Sequence, residues 1–461
     1  MTAVLLSILI SIFTGCKRDV PDPAALVPTD SLEGTNPPDD DPNTDPDNGN
    51  GDEDIEIILL GTGTGGNLTI DGNDKRFTCK QRVRIKGGAY NSIQIRNLKG
   101  ETGCPFIIEN EGLVELNGNG KQLRLSNLNH VIIRGNAAKG IDKGFVVKNN
   151  NYRAVEIDET INNFSLQYVA FENIGDYVIS YPYYAVYTGN SNSYVENLSF
   201  SHIDCRNTGP FFVGGGSIEN GYVDGVVKNL EIAFLDFRDS PGVGSVVRMG
   251  AVEAYDIHDN VVSNINSANT NHNGVFMMIG NGNFYNNIIT NHQGNALRAW
   301  TFTLGTQPKD VLIYNNIVYN SLKYSAFELQ SFDSFISGGK TTYANAKVFN
   351  NTCGRMNTSR DWDGAVVDIY SLKGGKCEVF NNLAFDFPKA DVIWTIQNDT
   401  APTGSNNLYF NSSTDAGLAD VTQFKLTQAS KAKHAGRSTT LTTKDIYGNQ
   451  RANPPSVGAV E

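Results

Sequence analysis

The sequence predicts an all-β chain wound as a right-handed parallel β-helix, with short capping segments at its N- and C-terminal ends. Three observations lead there. Glycine and aromatic residues are abundant (46 Gly, 23 Phe, 19 Tyr) while charged residues make up only 19%, a balance that suits turns and strands. Short apolar/polar alternations are common and long helical periodicities are few. A motif also recurs through the second half of the chain at a spacing of 25 to 35 residues, the signature of a repeat architecture.

The motif is an apolar or aromatic pair followed by asparagines. It reads Phe284-Tyr285-Asn286-Asn287, Ile313-Tyr314-Asn315-Asn316, Val348-Phe349-Asn350-Asn351, Val379-Phe380-Asn381-Asn382 and Ser405-Asn406-Asn407, with Ile257-His258-Asp259-Asn260 ahead of them in the same frame. The last asparagine recurs at intervals of 27, 29, 35, 31 and 25, and carried backwards the column turns apolar at Leu235, Ile203 and Val169. Short strands at this period, joined by irregular turns, suit a solenoid whose coils stack about 4.8 Å apart. An inward asparagine column is then explained, because each side-chain amide can donate to the carbonyl of the next and so satisfy a buried polar row. Leucine-rich repeats need a tighter period and a different consensus. Propeller blades need Trp-Asp signatures, and only 3 Trp are present.

Two stretches carry a resemblance. Arg84-Ile-Lys-Gly-Gly88-Ala-Tyr90, Gly100, Pro105-Phe-Ile-Ile, Gly112-Leu-Val114-Glu-Leu-Asn-Gly118 and Val131-Ile-Ile-Arg-Gly135 are similar to the opening coils of pectate-lyase-like β-helices. Phe424 to Ser430, Gly436, Asp445 to Arg451 and Val457 to Glu461 resemble the closing segment of secreted bacterial β-helix proteins. The resemblance implies a β-helix over 57–415 closed by 416–461, and a polysaccharide as ligand. It also implies an active site in the groove between one strand face and its flanking turns.

The N-terminus reads as an export signal. Residues 2–13 form an apolar run of 12, too short to cross a bilayer and right for the core of a signal peptide. Phe13-Thr14-Gly15-Cys16 resembles a bacterial lipoprotein signal of the Bacteroidetes type, which implies a signal over 1–16, lipidation at Cys16 and an outer-membrane anchor in the cell envelope. Residues 17–56 read as a disordered tether. They hold 13 Asp or Glu against 2 Lys or Arg, and 7 of the 16 prolines, too few apolar groups to fold. Of the total of 49 acids and 37 bases, 36 and 35 remain elsewhere. The acidity therefore belongs to the tether, and the near-neutral body offers no basic footprint for nucleic acid. A monomer is expected. Setting Cys16 aside leaves Cys79, Cys104, Cys205, Cys353 and Cys377, an odd number; a Cys79–Cys104 bridge is possible and buried thiols are expected for the rest.

The repeat also predicts a second row of strands: Val246 to Met249, Val275 to Met278, Ala296 to Ala299, Ala326 to Leu329, Val366 to Ile369 and Val392 to Thr395. In one alternating frame Val247, Phe276, Leu297, Phe327, Val367 and Ile393 face the core. Arg248, Met277, Arg298, Glu328, Asp368 and Trp394 face outward. Two residues on, Gly250, Ile279, Trp300, Gln330, Tyr370 and Ile396 form a second outward row, to which earlier coils add Glu156 and Tyr187. The turn before each strand offers His272, His292, Lys323, Trp362-Asp363 and Lys389.

Such a face suits a sugar polymer. Aromatic rings pack on sugar C–H groups, and an arginine can pair with a uronate carboxylate through two parallel bonds. Elimination from a uronide needs a cation at the carboxylate, supplied by Arg298 or Arg248, and a base and acid drawn from Lys323, His272 and His292. Calcium on Glu328 and Asp368 is an alternative to the arginine. A hydrolase pair made of Glu328 and Asp368 is a further reading, as is a non-catalytic glycan-binding surface with Arg248, Trp300, Gln330, Tyr370 and Trp394 as contacts. The plain alternative for Arg298 and Glu328 is a surface ion pair, for His202 and His258 a place in a turn or on the sheet surface, and for Tyr183, Tyr184 and Tyr187 simple strand formation. No Lys-Ser-x-x-Asn segment of the alginate-lyase/chondroitinase type, no polygalacturonase acid set and no P-loop, HExxH or CxxC motif is present.

Overall fold

The computed structural model describes residues 55–461, apart from 75–76, 220, 269–270, 337–338, 373–374, 389–391 and 398–400. The expected signal peptide, Cys16, nearly all of the tether and Lys389 lie outside the described residues. The first strand, Glu56–Leu60, begins at the last residue assigned to the tether.

The chain winds through about 12 turns, each passing three strand positions that pair in parallel with their equivalents one turn on. This is the predicted parallel β-helix. The first face includes Asn295–Thr301, Phe327–Ser331 and Val367–Leu372. The second includes Asp310–Tyr314, Asn345–Phe349 and Cys377–Phe380, and the third Ile288–His292, Ile317–Ser321 and Thr352–Gly354. Alternate residues of all three meet inside. Leu297, Phe327 and Val367 from the first face join Ile313, Val348 and Val379 from the second and Val318, Cys353 and Ala384 from the third in one core.

The Asn-Asn pairs divide two tasks at the corner between the second and third faces. The first asparagine turns the chain: Asn286, Asn315, Asn350, Asn381 and Asn406 all have φ between 52° and 55°, the left-handed region that asparagine tolerates better than other side-chain-bearing residues. The second enters the interior. Asn260, Asn287, Asn316, Asn351 and Asn382 are wholly buried, and each Nδ2 donates to the Oδ1 of the next, ending at Asn407, over 2.8–3.0 Å. Each Nδ2 also donates to a backbone carbonyl of the previous turn, as Asn316 does to Phe284 (2.9 Å). Each backbone N–H donates to the following Oδ1, as Asn287 does to Asn316 (3.0 Å). Every polar atom of the column is thereby used. Where the column turns apolar, the N–H of Leu235 caps the ladder on Asn260 Oδ1 (2.9 Å).

The other two corners carry exposed asparagine ladders, which the repeat did not announce. Asn197 donates to Asn163 and Asn229 to Asn197 at one corner, and Asn291 to Asn264 and Asn320 to Asn291 at the other. Beside the buried column runs a ring stack of His258, Tyr285, Tyr314, Phe349 and Phe380, with centroids 4.8–5.0 Å apart. Upstream, Tyr168, His202 and Phe234 stack in the same way. His202 and His258 are thus corner residues. Burial opposes a charge on His258, but hydrogen bonding to Asp259 and Glu231 outweighs it and lifts the pKa to about 9.

Cys79 and Cys104 form a disulfide, while Cys205 and Cys353 are buried. After the strand Leu408–Phe410 the chain leaves the solenoid and packs on the outside of the third face. Ala416, Leu418, Phe424, Ile446 and Val457 meet Ile317, Leu383 and Phe385 there. Two corner asparagines anchor it: Asn381 exchanges bonds with Arg437 (2.8 and 2.9 Å), and Asn315 accepts from Arg451 (2.8 Å).

Replacing Asn316 with Leu should orphan donors on both flanking turns and cost about 3 kcal/mol, read as a lowered urea midpoint. Asn320→Gly, which keeps the left-handed corner and removes an exposed rung, should cost under ~1 kcal/mol. Equal losses in the two variants would contradict the role given to the buried column.

Candidate active site

The first face is built by register. Val213, Arg248, Met277, Arg298, Glu328, Asp368 and Thr395 are successive Cα partners on neighbouring coils, so residues 182 positions apart at the extremes form one outward row. The second row runs Ile279, Trp300, Gln330, Tyr370, Gln397. On one side stand the turns that lead into the face, and on the other the loops that leave it. The latter pack into a satellite apolar cluster that includes Ile218, Val223, Phe302, Leu304 and Phe335. A cleft of ≈ 370 Å³ lies over the rows, lined by His272, Arg298, Glu328, Gln330, Phe332, Trp362, Asp368, Tyr370 and Gln397.

At its floor is a buried carboxylate. Glu328 is 1% exposed, so its pairing with Arg298 is no surface ion pair. Arg298 Nε donates to Oε1 (2.7 Å), Gln330 Nε2 donates to the same oxygen, and His272 Nε2 lies 2.5 Å from Oε2. Arg298 Nη1 also donates to the carbonyl of His272 (3.0 Å), so one guanidinium holds both the carboxylate and the turn that presents the imidazole. His272 Nε2 further faces Asn295 Oδ1 (3.2 Å). With two acceptors at Nε2, the neutral ring carries its proton there and has its Nδ1 lone pair for a ligand. The ring is clamped by Tyr324, stacked at 4.0 Å and 13°, with Trp362 at 6.4 Å.

Asp368 sits one coil beyond Glu328. Burial raises its pKa, the Thr395 hydroxyl that donates to it (2.8 Å) lowers it, and the Glu328 charge adds to the rise. An aspartate that holds its proton to higher pH thus stands one coil from a carboxylate paired with Arg298.

Several expected residues fall elsewhere. His292 ends a third-face strand and is 3% exposed; burial lowers its pKa to about 4, so it is a neutral core residue and does not reach the cleft. Lys323 Nζ is held by Asp361 (3.0 Å), outside the cleft lining. Trp300 turns its edge to Phe332 (5.5 Å) and packs on Phe335 (5.8 Å) in the satellite cluster, where it flanks the Arg298 guanidinium at 5.6 Å. Trp394 is displaced by one residue: it pairs with Val367 in the core row, and Thr395 takes the outward place. Gly404 leaves room for its indole. Ile393 and Ile396 accordingly leave the positions assigned to them. Arg248 lies on the predicted row, exposed, two coils before Arg298. Tyr183 packs against the core and Tyr187 against the satellite cluster. Tyr324 and Phe332 lie in turns whose folded lengths the repeat does not report, and Gln397 takes the second-row place expected of Ile396 because of the one-residue shift at Trp394.

Calcium does not fit the residues present. Glu328 is held by the Arg298 guanidinium, the Gln330 amide and the nearby His272 ring, and Asp368 by Thr395. Among the described residues no group of three or more His, Cys, Asp or Glu is placed to hold a metal, whereas calcium asks for six to eight oxygens.

No protein-family model and no curated protein matches the chain. Similar solved structures include an alginate lyase from Paenibacillus sp. str. FPU-7 (13% identity, covering 72% of this chain and 99% of that one, TM-score 0.41). Others are a PL6 family polysaccharide lyase from Pseudopedobacter saltans (11%, 75% and 93%, TM-score 0.43) and pectate lyase Pel9A (14%, 86% and 96%, TM-score 0.37). At these values the likeness is one of architecture, and no residue role is carried over from it.

Because the folded value of His292 lies below the ordinary 6.5, the unfolded chain binds more protons between the two. Stability is whole above pH 6.5 and falls as pH drops towards 4, by up to ~3 kcal/mol. His292→Phe should flatten that acid loss in melting temperature between pH 7 and 5. An unchanged slope would place the acid-sensitive group elsewhere.

Proposed function

We propose that the chain cleaves an acidic polysaccharide by β-elimination across the first face. The observation that carries this reading is the buried Glu328 carboxylate shared by Arg298 and His272 at the floor of an aromatic-walled cleft. Burying a carboxylate costs several kcal/mol, and a buried ionisable group paired in a cleft is a functional-site candidate. In the proposed step a uronate carboxylate pairs with the Arg298 fork, whose Nη2 has no partner among the described residues. His272 Nδ1 takes the C5 proton, with Glu328 stabilising the imidazolium through Nε2. The C4–O bond breaks as the C4=C5 double bond forms, and the leaving oxygen receives its proton from Asp368. Trp362, Tyr370 and Phe332 pack against the sugar rings, and Gln330 holds Glu328 in place.

The hydrolase reading is served less well. Its nucleophile or base would be Glu328, which is 1% exposed, with Oε1 taken by Arg298 and Gln330 and Oε2 against the His272 ring.

Export belongs to the same proposal. The apolar run 2–13 and Cys16 support it, and so does the Cys79–Cys104 bridge, since disulfides persist in oxidising compartments. Metabolic labelling with a radioactive fatty acid in a bacterial host should mark the wild type and not Cys16→Ser; equal labelling of both would remove the anchor from the proposal.

Incubation with alginate, pectin and glycosaminoglycans should release unsaturated uronate, followed by its ultraviolet absorbance. His272→Gln should lower the rate by about 10²–10⁴ and Arg298→Lys by at least about tenfold, with unfolding midpoints tracked alongside. Lys323→Ala should retain most activity. New reducing ends without unsaturated product would overturn elimination in favour of hydrolysis, and binding without any product would leave a glycan-binding surface.

A further inference from the structure

Among the described residues of the first-face rows, Arg124, Glu156, Arg298 and Asp368 each have a partner within the protein, and Arg248 does not. Arg124 pairs with Asp158 (2.6 Å), Glu156 with Lys121 (2.7 Å), Arg298 with Glu328 (2.7 Å), and Asp368 takes the Thr395 hydroxyl (2.8 Å). Arg248, on the same row, is exposed and has no ion pair or hydrogen bond to a described residue through its side chain. Its neighbours on the row are Val213 and Met277, which offer nothing to a guanidinium. Beside it the floor is stripped of side chains. On the second outward row Gly250 has no side chain, and backbone packs against it: a Cβ on Gly250 would meet the Gly216 carbonyl at 1.9 Å and one on Gly215 the Gly250 carbonyl at 2.1 Å. An exposed cation without a side-chain partner among the described residues, in line with the cleft, is placed for a ligand from outside.

Its distance from the cleft sets the ligand. Two coils separate Arg248 from Arg298, about 9–10 Å at the strand spacing. In a flat, two-fold ribbon of 1,4-linked uronates, neighbouring carboxylates point to opposite edges and every second one shares an edge. Two sugar units match two coils.

We propose that Arg248 is a second carboxylate subsite, holding the uronate two units away from the one on Arg298 and selecting extended two-fold polyuronates. The inference rests on the cleft reading above and adds to it the substrate's shape and minimum length. A bidentate guanidinium–carboxylate pair at the subsite makes chains of four or more units bind more tightly than dimers.

The test is calorimetric titration of the full chain carrying His272→Gln, to suppress turnover, with two- and five-unit oligomers of β-1,4-mannuronate and β-1,4-glucuronate and a carboxyl-reduced pentamer. The pentamer should bind at least about tenfold more tightly than the dimer. Adding Arg248→Ala should bring it down to the dimer's affinity while the dimer is unaffected, and Arg248→Lys should fall between. Pentamer affinity that ignores Arg248→Ala, with the reduced pentamer still rejected, would overturn the subsite and leave the cleft reading standing. No binding of any uronate oligomer would overturn both.

Discussion

Parallel stacking of coils in one register is the constraint on which everything else depends. A strand's side chains alternate with period two, so a slip of one residue between coils would turn a core row outward and a charged row inward. The buried asparagine column resists that slip more strictly than apolar packing can. A leucine accepts many neighbours, but an Asn amide that must donate to one carboxamide oxygen and one backbone carbonyl, and accept from the next coil, has one position in which all its bonds close. The ladder from Asn260 to Asn407 therefore acts as a ratchet along the coils that carry the cleft.

The cleft inherits that order. Arg298, Glu328 and Asp368 come from strands 30 and 40 residues apart in sequence, yet neighbouring coils bring them side by side. A buried carboxylate is tolerated because a guanidinium, an amide and an imidazole converge on it, and the convergence is possible because the strands beneath cannot shift. The turns supply what regular strands cannot: a ring clamp of Tyr324 and Trp362 about His272 on one wall, and on the other the apolar cluster that backs Phe332 and Trp300. Function-bearing groups thus sit at the seam between a rigid face and adaptable loops.

Much of this was legible in the chain itself. The asparagine column, its apolar continuation at Leu235 and the outward row through Arg248, Arg298, Glu328 and Asp368 all follow from counting residues between repeats, because a repeat reports register directly. What failed did so where counting has no grip. His292 matched His272 in local sequence, Asn-His followed by a small turn, but one lies in a long turn over the face and the other ends a strand inside the core. Trp394 sits one residue out of the expected frame in the coil after Asp368, where no further repeat constrains the frame and its ring lies over Gly404. Lys323 was read as available, whereas Asp361 in the next turn occupies it. The exposed asparagine ladders were hidden because a left-handed corner needs only one asparagine per turn, a signal too sparse to separate from ordinary loop composition.

The outward row of the first face is the proposed path of a polysaccharide. An experimentally determined structure of the full chain with a bound uronate pentamer, in a Glu328→Gln background, tests it most directly. The oligosaccharide should run along the coil axis over Arg248, Met277, Arg298 and Asp368, with one carboxylate at each arginine and a ring against Trp362. Sugar bound on the second or third face, or lying across the coils instead of along them, would contradict it.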